Sequence, residues 1–192
     1  MGRHKTISDD EVLRAARHVF RDKGHTASTR AIALAAGISE AVLYQRFRSK
    51  DDLFFAAMAP RGPDIERLLG PKEPPDDAQA YLRTVVVRIG QYLAEIIPLA
   101  MHVMTHPSFD PATLARAQPS GSAVLQEALT LRLASLARRK RIAGCSPAVM
   151  SRLLVSLAHD WALGHVVPRG PSAPNVRGLK EMVDAAWEGL RP

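Results

Sequence analysis

The chain has 192 residues, of which 46% are apolar and 5% aromatic, and its formal net charge at pH 7 is +7. An apolar fraction of this size supports a packed core and excludes wholesale disorder. The basic balance favours a polyanionic partner, with nucleic acid ahead of an acidic membrane surface. Because the positive charge is spread over both halves of the chain, composition alone does not locate a DNA-binding region.

Cysteine usage and the apolar runs indicate a compartment. Cys145 is the single cysteine, so no intrachain disulfide can form, and a reducing environment fits. The first residues form no apolar signal core, and no uninterrupted apolar run approaches the roughly 20 residues that span a bilayer. We therefore expect a cytoplasmic protein without a membrane partner.

Prolines divide the chain into segments. Five of them, between Pro60 and Pro75, predict a linker after an N-terminal module, and further clusters follow at 107–119 and 168–174. The apolar spacing between these breaks is helical, and no segment has the alternation of a strand. We predict an all-α fold of about nine helices, with one domain over residues 1–58 and a second over residues 59–192.

The first helix has a clear start. Ser8 and Glu11 have the spacing of a capping box, and Ile7 can pack on Val12 as a hydrophobic staple. The apolar residues that follow recur at helical spacing until Gly24, a residue typical of a helix C-terminus.

Residues 28–52 predict two short helices joined by a tight turn, followed by a third helix. Ser28 and Ser39 are candidate N-caps of the two short helices, and Ser49 is a candidate N-cap of the third. Gly37 can adopt the left-handed conformation that ends the first short helix, and Ile38 can then enter the core. Two short helices joined by such a turn form a helix-turn-helix, whose second helix enters the major groove.

The second domain contains longer amphipathic patterns. One runs from Ala78 to Pro98 and another from Ser122 to about Ile142. Ser146 followed by Pro147 begins a third helix, and a last helix extends to about residue 190.

The stretch from Ile7 to Met58 resembles the DNA-binding domain of the TetR (tetracycline-repressor) family. It covers about 52 of the 192 residues, and the match is specific because many residues coincide at fixed offsets. The matching residues are Thr29, Ile32, Ala33, Ala36, Gly37, Ile38, Ser39, Leu43, Tyr44, Phe47, Lys50 and Leu53.

The resemblance implies an N-terminal three-helix DNA-binding domain followed by a helical ligand-binding and dimerisation domain. It implies a transcriptional regulator, in most cases a repressor that a small-molecule effector releases from a palindromic operator in double-stranded DNA. Three groups of DNA contacts follow: the start of the first motif helix, the groove-entering tip of the recognition helix, and phosphate-binding side chains. In that order they are Thr29 and Arg30; Ser39, Glu40 and Ala41; and Tyr44, Lys50, Gln45 and Arg48.

Two of these positions allow more than one interpretation. Glu40 departs from the small or neutral residue that the family often has there. It either accepts a hydrogen bond from a base such as cytosine, through N4, or is a solvated residue at a helix start. Tyr44 either contacts phosphate or fills the core, and a tyrosine can do both.

The resemblance also implies a homodimer through residues of about 147–190 and an effector pocket enclosed by the segment from about residue 76 to residue 142. Each candidate pocket residue has an alternative role in the core. These candidates are Tyr92, Met101, Met104, Phe109, His159 and Trp161.

Other features are weaker. The basic run Arg138–Arg141 is either a second nucleic-acid patch or a cationic helix C-terminus. His102 and His106 have metal-ligand spacing but no third ligand, so we predict no metal site. Cys145 is either a redox sensor or a small buried apolar residue. Since no catalytic motif is evident, we predict neither an enzyme nor a cofactor. The rival function is a helical enzyme or small-molecule-binding protein in which the helix-turn-helix is scaffold.

Overall fold

A computed structural model describes residues 7–60, 62–111, 121–167 and 174–188. These residues form nine α-helices and one 3₁₀ turn, with no strand among them, which confirms the all-α prediction. The helices are α1 (Asp9–Lys23), α2 (Thr29–Ala36), α3 (Glu40–Arg46), α4 (Lys50–Met58), α5 (Ile65–Leu69), α6 (Ala78–Met104), α7 (Gly121–Arg138), α8 (Pro147–Val166) and α9 (Val176–Glu188).

The described residues cluster into two compact units. The first contains the chain up to Pro60 together with Pro98–Asp110, and the second contains the rest. Helix α6 therefore begins in the second unit and ends in the first. The segment Pro98–Asp110 lies in the part of the chain that we assigned to the second domain, and the boundary at residue 58 stays a prediction.

The core of the first unit is formed by α1, α2, α3 and α4. Phe20 of α1 meets Phe54 of α4 edge-on, with ring centroids 4.9 Å apart, and both side chains are fully buried. Leu43 is the buried residue of α3. Burying each side chain of this size stabilises the folded state by about 1.5–3 kcal/mol. This core fixes α3 on the domain through one side of the helix.

The second unit is built around α6, α7 and α8. Its core includes Leu82 and Ile89 of α6, Leu129 of α7 and Leu154 of α8, all essentially inaccessible to solvent. The last helix, α9, contributes buried Leu179 and Val183 to the same cluster.

Two helix ends differ from the sequence prediction. We expected the α6 pattern to stop at Pro98, but the helix continues to Met104. The proline removes a single backbone donor, and the turn beyond it buries Leu99 and Val103. Helix α7 ends at Arg138 rather than near Ile142, because Lys140 adopts a left-handed backbone with φ of 55°.

One helix bears on the expectation of no membrane-length apolar run. Helix α6 is long and apolar enough to cross a membrane by length and composition alone, and it is the one such helix among the described residues. Arg83, Arg88 and Glu95 interrupt its apolar residues, so α6 contains no uninterrupted apolar run of that length. The core helix of a globular unit meets the same criterion, and α6 contributes Leu82 and Ile89 to the core of the second unit, although only 28% of its apolar window is buried.

Candidate DNA-binding site

The turn between α2 and α3 has the predicted geometry. The Ser28 hydroxyl accepts the Ala31 backbone N–H at 3.2 Å, and the Ser39 hydroxyl accepts that of Val42 at 3.2 Å. Gly37 adopts φ of 68° and ψ of 30°, the left-handed conformation that glycine favours. The Ile38 N–H then bonds to the Ala33 carbonyl at 3.0 Å, so the turn closes α2 and starts α3 within three residues.

The predicted DNA contacts lie on α2, on α3 and its Ser39 cap, in the turn between α3 and α4, and at the start of α4. Ser39, Glu40, Ala41 and Gln45 are exposed on or just before α3, whereas Leu43 of the same helix is buried. This polarity leaves one side of α3 free for a partner. Of the remaining contacts, Thr29 and Lys50 are half-buried, and Arg30, Tyr44 and Arg48 are exposed.

Tyr44 is accessible over about half of its surface. Its exposed fraction is 49%, so part of the ring packs on the domain while the rest remains accessible. This geometry is compatible with both interpretations of Tyr44, because a tyrosine can bury its ring edge and still present its hydroxyl.

Glu40 has a partner that sequence reasoning missed. The Thr29 hydroxyl donates to Glu40 Oε1 at 2.6 Å and so joins the first residues of α2 and α3 across the turn. The two residues are 11 positions apart, and no local motif would have paired them. One carboxylate oxygen of Glu40 is thereby engaged at the tip of the recognition helix.

Two arginines in this unit brace its fold. The Arg46 Nη1 group donates to the Ile7 carbonyl at 2.7 Å and lies 3.1 Å from the Asp9 carboxylate, which ties the end of α3 to the start of α1. The Arg17 Nε–H donates to the Ala57 carbonyl at 2.6 Å and joins α1 to the end of α4. The Arg46 contacts hold the end of the recognition helix against α1.

The basic run at the end of α7 contacts the segment between α5 and α6. Arg139 and Arg141 both pair with Asp76, at 3.1 Å and 2.8 Å, and Arg139 also donates to the Pro74 carbonyl. On the same helix, Arg132 donates to the Gly70 carbonyl at 3.0 Å. The last residues of the proline-rich linker that we predicted are thus bound to the end of α7. Two of the four cations of the basic run take part in this contact.

The six candidate effector residues fall in different units. Met101, Met104 and Phe109 belong to the first unit, and both methionines are exposed. The other three, Tyr92, His159 and Trp161, belong to the second unit.

Within the second unit, His159 is exposed on α8, and burial raises the pKa of Tyr92. The Trp161 side chain is buried, and its indole N–H donates to the Asn175 carbonyl at 2.9 Å. The assignment of these six residues to an effector pocket stays a prediction.

One open groove of about 450 Å³ lies between α6 and α9, and it includes none of these six residues. Arg83 bonds there to Asp184 at 2.5 Å, and this partner lowers the pKa of the Asp184 carboxyl. Arg177 pairs with Glu181 at 2.8 Å in the same groove. Each carboxylate in the groove is therefore matched by an arginine.

The two histidines with metal-ligand spacing are not part of a larger group of ligands among the described residues. His106 is buried against aromatic rings, and the described part of the chain contains no group of three or more His, Cys, Asp or Glu residues arranged to hold a metal ion. The interpretation of Cys145 as a buried apolar residue is wrong, because its side chain is exposed, with the thiol 3.6 Å from the Ser146 carbonyl.

Comparison with known proteins agrees with this geometry. Residues 12–57 match the model of bacterial regulatory proteins of the tetR family. Comparison with curated protein sequences gave no significant match.

Solved structures share the fold over most of the chain. A TetR-family transcriptional regulator from Mesorhizobium loti is 21% identical with a TM-score of 0.73, over 94% of this chain and 93% of that one. NalD from Pseudomonas aeruginosa, described as the secondary repressor of a multidrug efflux pump, is 22% identical with a TM-score of 0.61, over 95% of each chain. FadR from Bacillus subtilis, solved with stearoyl-CoA, is 17% identical with a TM-score of 0.66, over 95% of this chain and 99% of that one. Residues 12–57 thus match the family model of bacterial tetR regulatory proteins, and the chain shares the fold of these solved regulators.

Proposed function

We propose that the protein is a sequence-specific transcriptional repressor that binds a palindromic operator as a homodimer and is released by a small-molecule effector. Members of the family are generally DNA-binding repressors with ligand-binding domains. The observation that carries the proposal is the helix-turn-helix itself, in which α3 buries Leu43 and leaves its polar side exposed. This function implies that the protein acts in the cytoplasm, where it would bind operator DNA.

The proposed contacts divide by chemistry. Arg30, Arg48 and Lys50 are cationic and accessible, and they would bind phosphates and set the register on the duplex. The exposed tip of α3 would meet base edges in the major groove, where each base pair presents a distinct pattern of donors and acceptors. The Tyr44 hydroxyl would bind a further phosphate of the duplex.

Dimerisation is proposed through α8 and α9. Val149, Leu153 and Met182 are apolar side chains exposed in the single chain, at 62%, 42% and 38%. Val149 and Leu153 are four residues apart and so share one side of α8. Trp161 is buried in its own chain and therefore does not contribute to this seam.

Two identical recognition helices related by a two-fold axis would enter successive major grooves. Their separation would be about 34–36 Å, which places the half-sites of an inverted repeat about 10 base pairs apart. Inserting about five base pairs between the half-sites should abolish tight binding, because half a helical turn moves one half-site to the far face of the duplex.

Release by an effector requires differential binding. Such a ligand binds more tightly to the conformation in which the two recognition helices are too far apart for the operator. It weakens operator binding by the difference between its binding free energies for the two conformations, typically about 1–3 kcal/mol. Stearoyl-CoA, which the Bacillus subtilis relative binds, is a reasonable first ligand to add to the protein–DNA complex.

The test is footprinting on the DNA upstream of the protein's own gene, with affinity measured against salt concentration. A protected inverted repeat and a steep linear fall of log affinity with log salt support the proposal. The rival enzyme or small-molecule-binding protein predicts neither a protected sequence nor a salt-dependent complex with bulk DNA.

A further inference from the structure

A histidine is buried where the chain leaves α6. His106 is 7% exposed, and its ring centroid lies 4.4 Å from that of Phe54 and 4.9 Å from that of Phe55, both on α4. The ring of His25, in the 3₁₀ turn after α1, meets it edge-on at 5.6 Å. All these residues belong to the first compact unit.

Both nitrogens of this ring have polar neighbours. Nδ1 of His106 accepts the Ser108 backbone N–H at 3.1 Å, so the proton of the neutral ring is on Nε2. Nε2 lies 3.7 Å from Asp51 Oδ1, and the Ser108 hydroxyl donates to Asp51 Oδ2 at 2.5 Å. His106, Ser108 and Asp51 thus form a closed set of contacts, which we call the His106 latch.

The latch ends beside a proposed DNA contact. Asp51 is the second residue of α4, and Lys50, which we place on phosphate, is the first. The latch is also two residues from the end of α6, the helix that begins in the second unit. The Ser108–Asp51 hydrogen bond therefore connects the chain that leaves α6 to the first turn of α4, which carries Lys50.

We propose that the His106 latch is a proton-sensitive positioning device that holds the first turn of α4, and with it Lys50, in the arrangement that binds DNA. The proposal rests on the DNA-binding function above. Protonation places an N–H on Nδ1, where the Ser108 N–H already points, and two donors cannot face each other at hydrogen-bond distance. Ser108 must then move, and its hydroxyl contact with Asp51 moves with it.

The charges around the ring set the direction of the effect. Asp51 and Lys50 from α4 and His25 from the 3₁₀ turn are the titratable groups that act on it. Burial lowers the pKa of His106, Asp51 acts against this shift, and His25 and Lys50 add to it. The neutral latch is therefore complete above the ordinary histidine pKa of about 6.5 and is lost as pH falls through the lowered pKa.

The first test needs no DNA. The full chain, labelled for NMR, is titrated from pH 8 to pH 5, and the His106 ring is followed together with the Ser108 and Asp51 amides. We expect these three signals to share one midpoint below about 6.5. A His106 ring that titrates while the Ser108 and Asp51 amides stay in place would overturn the proposal.

The second test measures affinity against pH, with a duplex that the wild-type protein selects from a random library at pH 7.5. We expect affinity to fall with pH, approaching tenfold per pH unit per chain below the midpoint, because binding then requires the release of one proton. An exposed histidine near DNA gives the opposite sign, because the charge it gains attracts phosphate.

Variants separate the latch from general packing. His106→Asn keeps a neutral acceptor for the Ser108 N–H but has no group that titrates in this range, so it should flatten the pH profile whatever its affinity at pH 7.5. Asp51→Asn removes the charge that favours protonation and should move the midpoint to lower pH. His18→Asn replaces an exposed histidine of the same unit and serves as the matched control, with the profile of the wild type.

The outcomes are distinct. A His106→Asn protein that loses affinity with acid as steeply as the wild type refutes the latch, as does an Asp51→Asn protein with an unmoved midpoint. If the wild type selects no duplex, the proposed function fails, and the NMR titration still decides whether the latch opens on protonation.

Discussion

Replacing Glu40 with alanine tests how the tip of the recognition helix is used. The change removes the acceptor of the 2.6 Å hydrogen bond from Thr29 and the acidic residue in the first turn of α3. An exposed charge-assisted hydrogen bond and a favourable interaction with the helix dipole together contribute about 1–2 kcal/mol. We expect the free energy of unfolding to fall by that amount, measured in urea.

The change in DNA affinity caused by Glu40→Ala differs between the two interpretations of Glu40. Because Thr29 engages only one carboxylate oxygen, we expect the other oxygen of Glu40 to accept from the amino group of cytosine or adenine. Loss of such a contact costs about 1–3 kcal/mol, or about 5–150-fold in affinity, at duplexes that carry that base. A solvated Glu40 about 10 Å from a phosphate repels it by only about 0.4 kcal/mol before screening, so its removal would raise affinity about twofold for every sequence.

The assay is selection of duplexes from a random library by the wild-type protein and by Glu40→Ala, followed by titration of the selected sequences. Thr29→Val is the matched control, since it removes the hydroxyl donor and leaves the carboxylate in place. We expect it to weaken the base preference without abolishing it. An unchanged selected sequence, with affinity raised uniformly in Glu40→Ala, would refute base reading.

Other consequences can be checked separately. Lys50→Ala should weaken binding to operator and random DNA alike and reduce the salt dependence by about one counterion, and a changed preference at one base pair would contradict the phosphate assignment. Leu153→Glu should give monomers by sedimentation, with much weaker operator binding, whereas a stable wild-type monomer would contradict the proposed seam. Gly37→Ala should cost about 1–2 kcal/mol of stability from the positive φ alone, since no atom lies within 4 Å of the added methyl group. Gly37→Asn should cost less, because asparagine tolerates this conformation better, and equal losses in the two variants would contradict the backbone argument.

The features that the sequence predicted well are local. The capping box of Ser8 and Glu11, the Ser39 cap and the Gly37 turn each depend on residues within about five positions of one another. Physical rules for helix ends are sufficient at this range. The position of the recognition helix followed from them, because its start and its buried side are set by short-range chemistry.

The features that the sequence did not predict depend on distant pairs. Thr29 meets Glu40 across the turn, Arg46 reaches back to Ile7, and Ser108 meets Asp51 at a separation of 57 residues. Spacing rules carry no information at these distances. The polar contacts that orient the candidate site therefore became visible only with the fold.

Two predicted helix ends were wrong because one residue type was given too much weight. Pro98 was expected to end α6, but the buried side chains beyond it keep the helix intact to Met104. The end of α7 was set too late because a lysine, Lys140, rather than a glycine adopts the left-handed conformation that stops it.

The packing of α6 against α8 limits how this core can evolve. A methyl group on Gly90 would lie 2.9 Å from Cε3 of Trp161, whose indole N–H is already bonded to Asn175. A larger residue at 90 is therefore tolerated only after the ring at 161 has become smaller. A smaller side chain at 161 would in turn leave a void unless the residue at 90 became larger. The two positions are thus expected to change together among related sequences, so the effect of either substitution should reverse sign with the identity of the other residue.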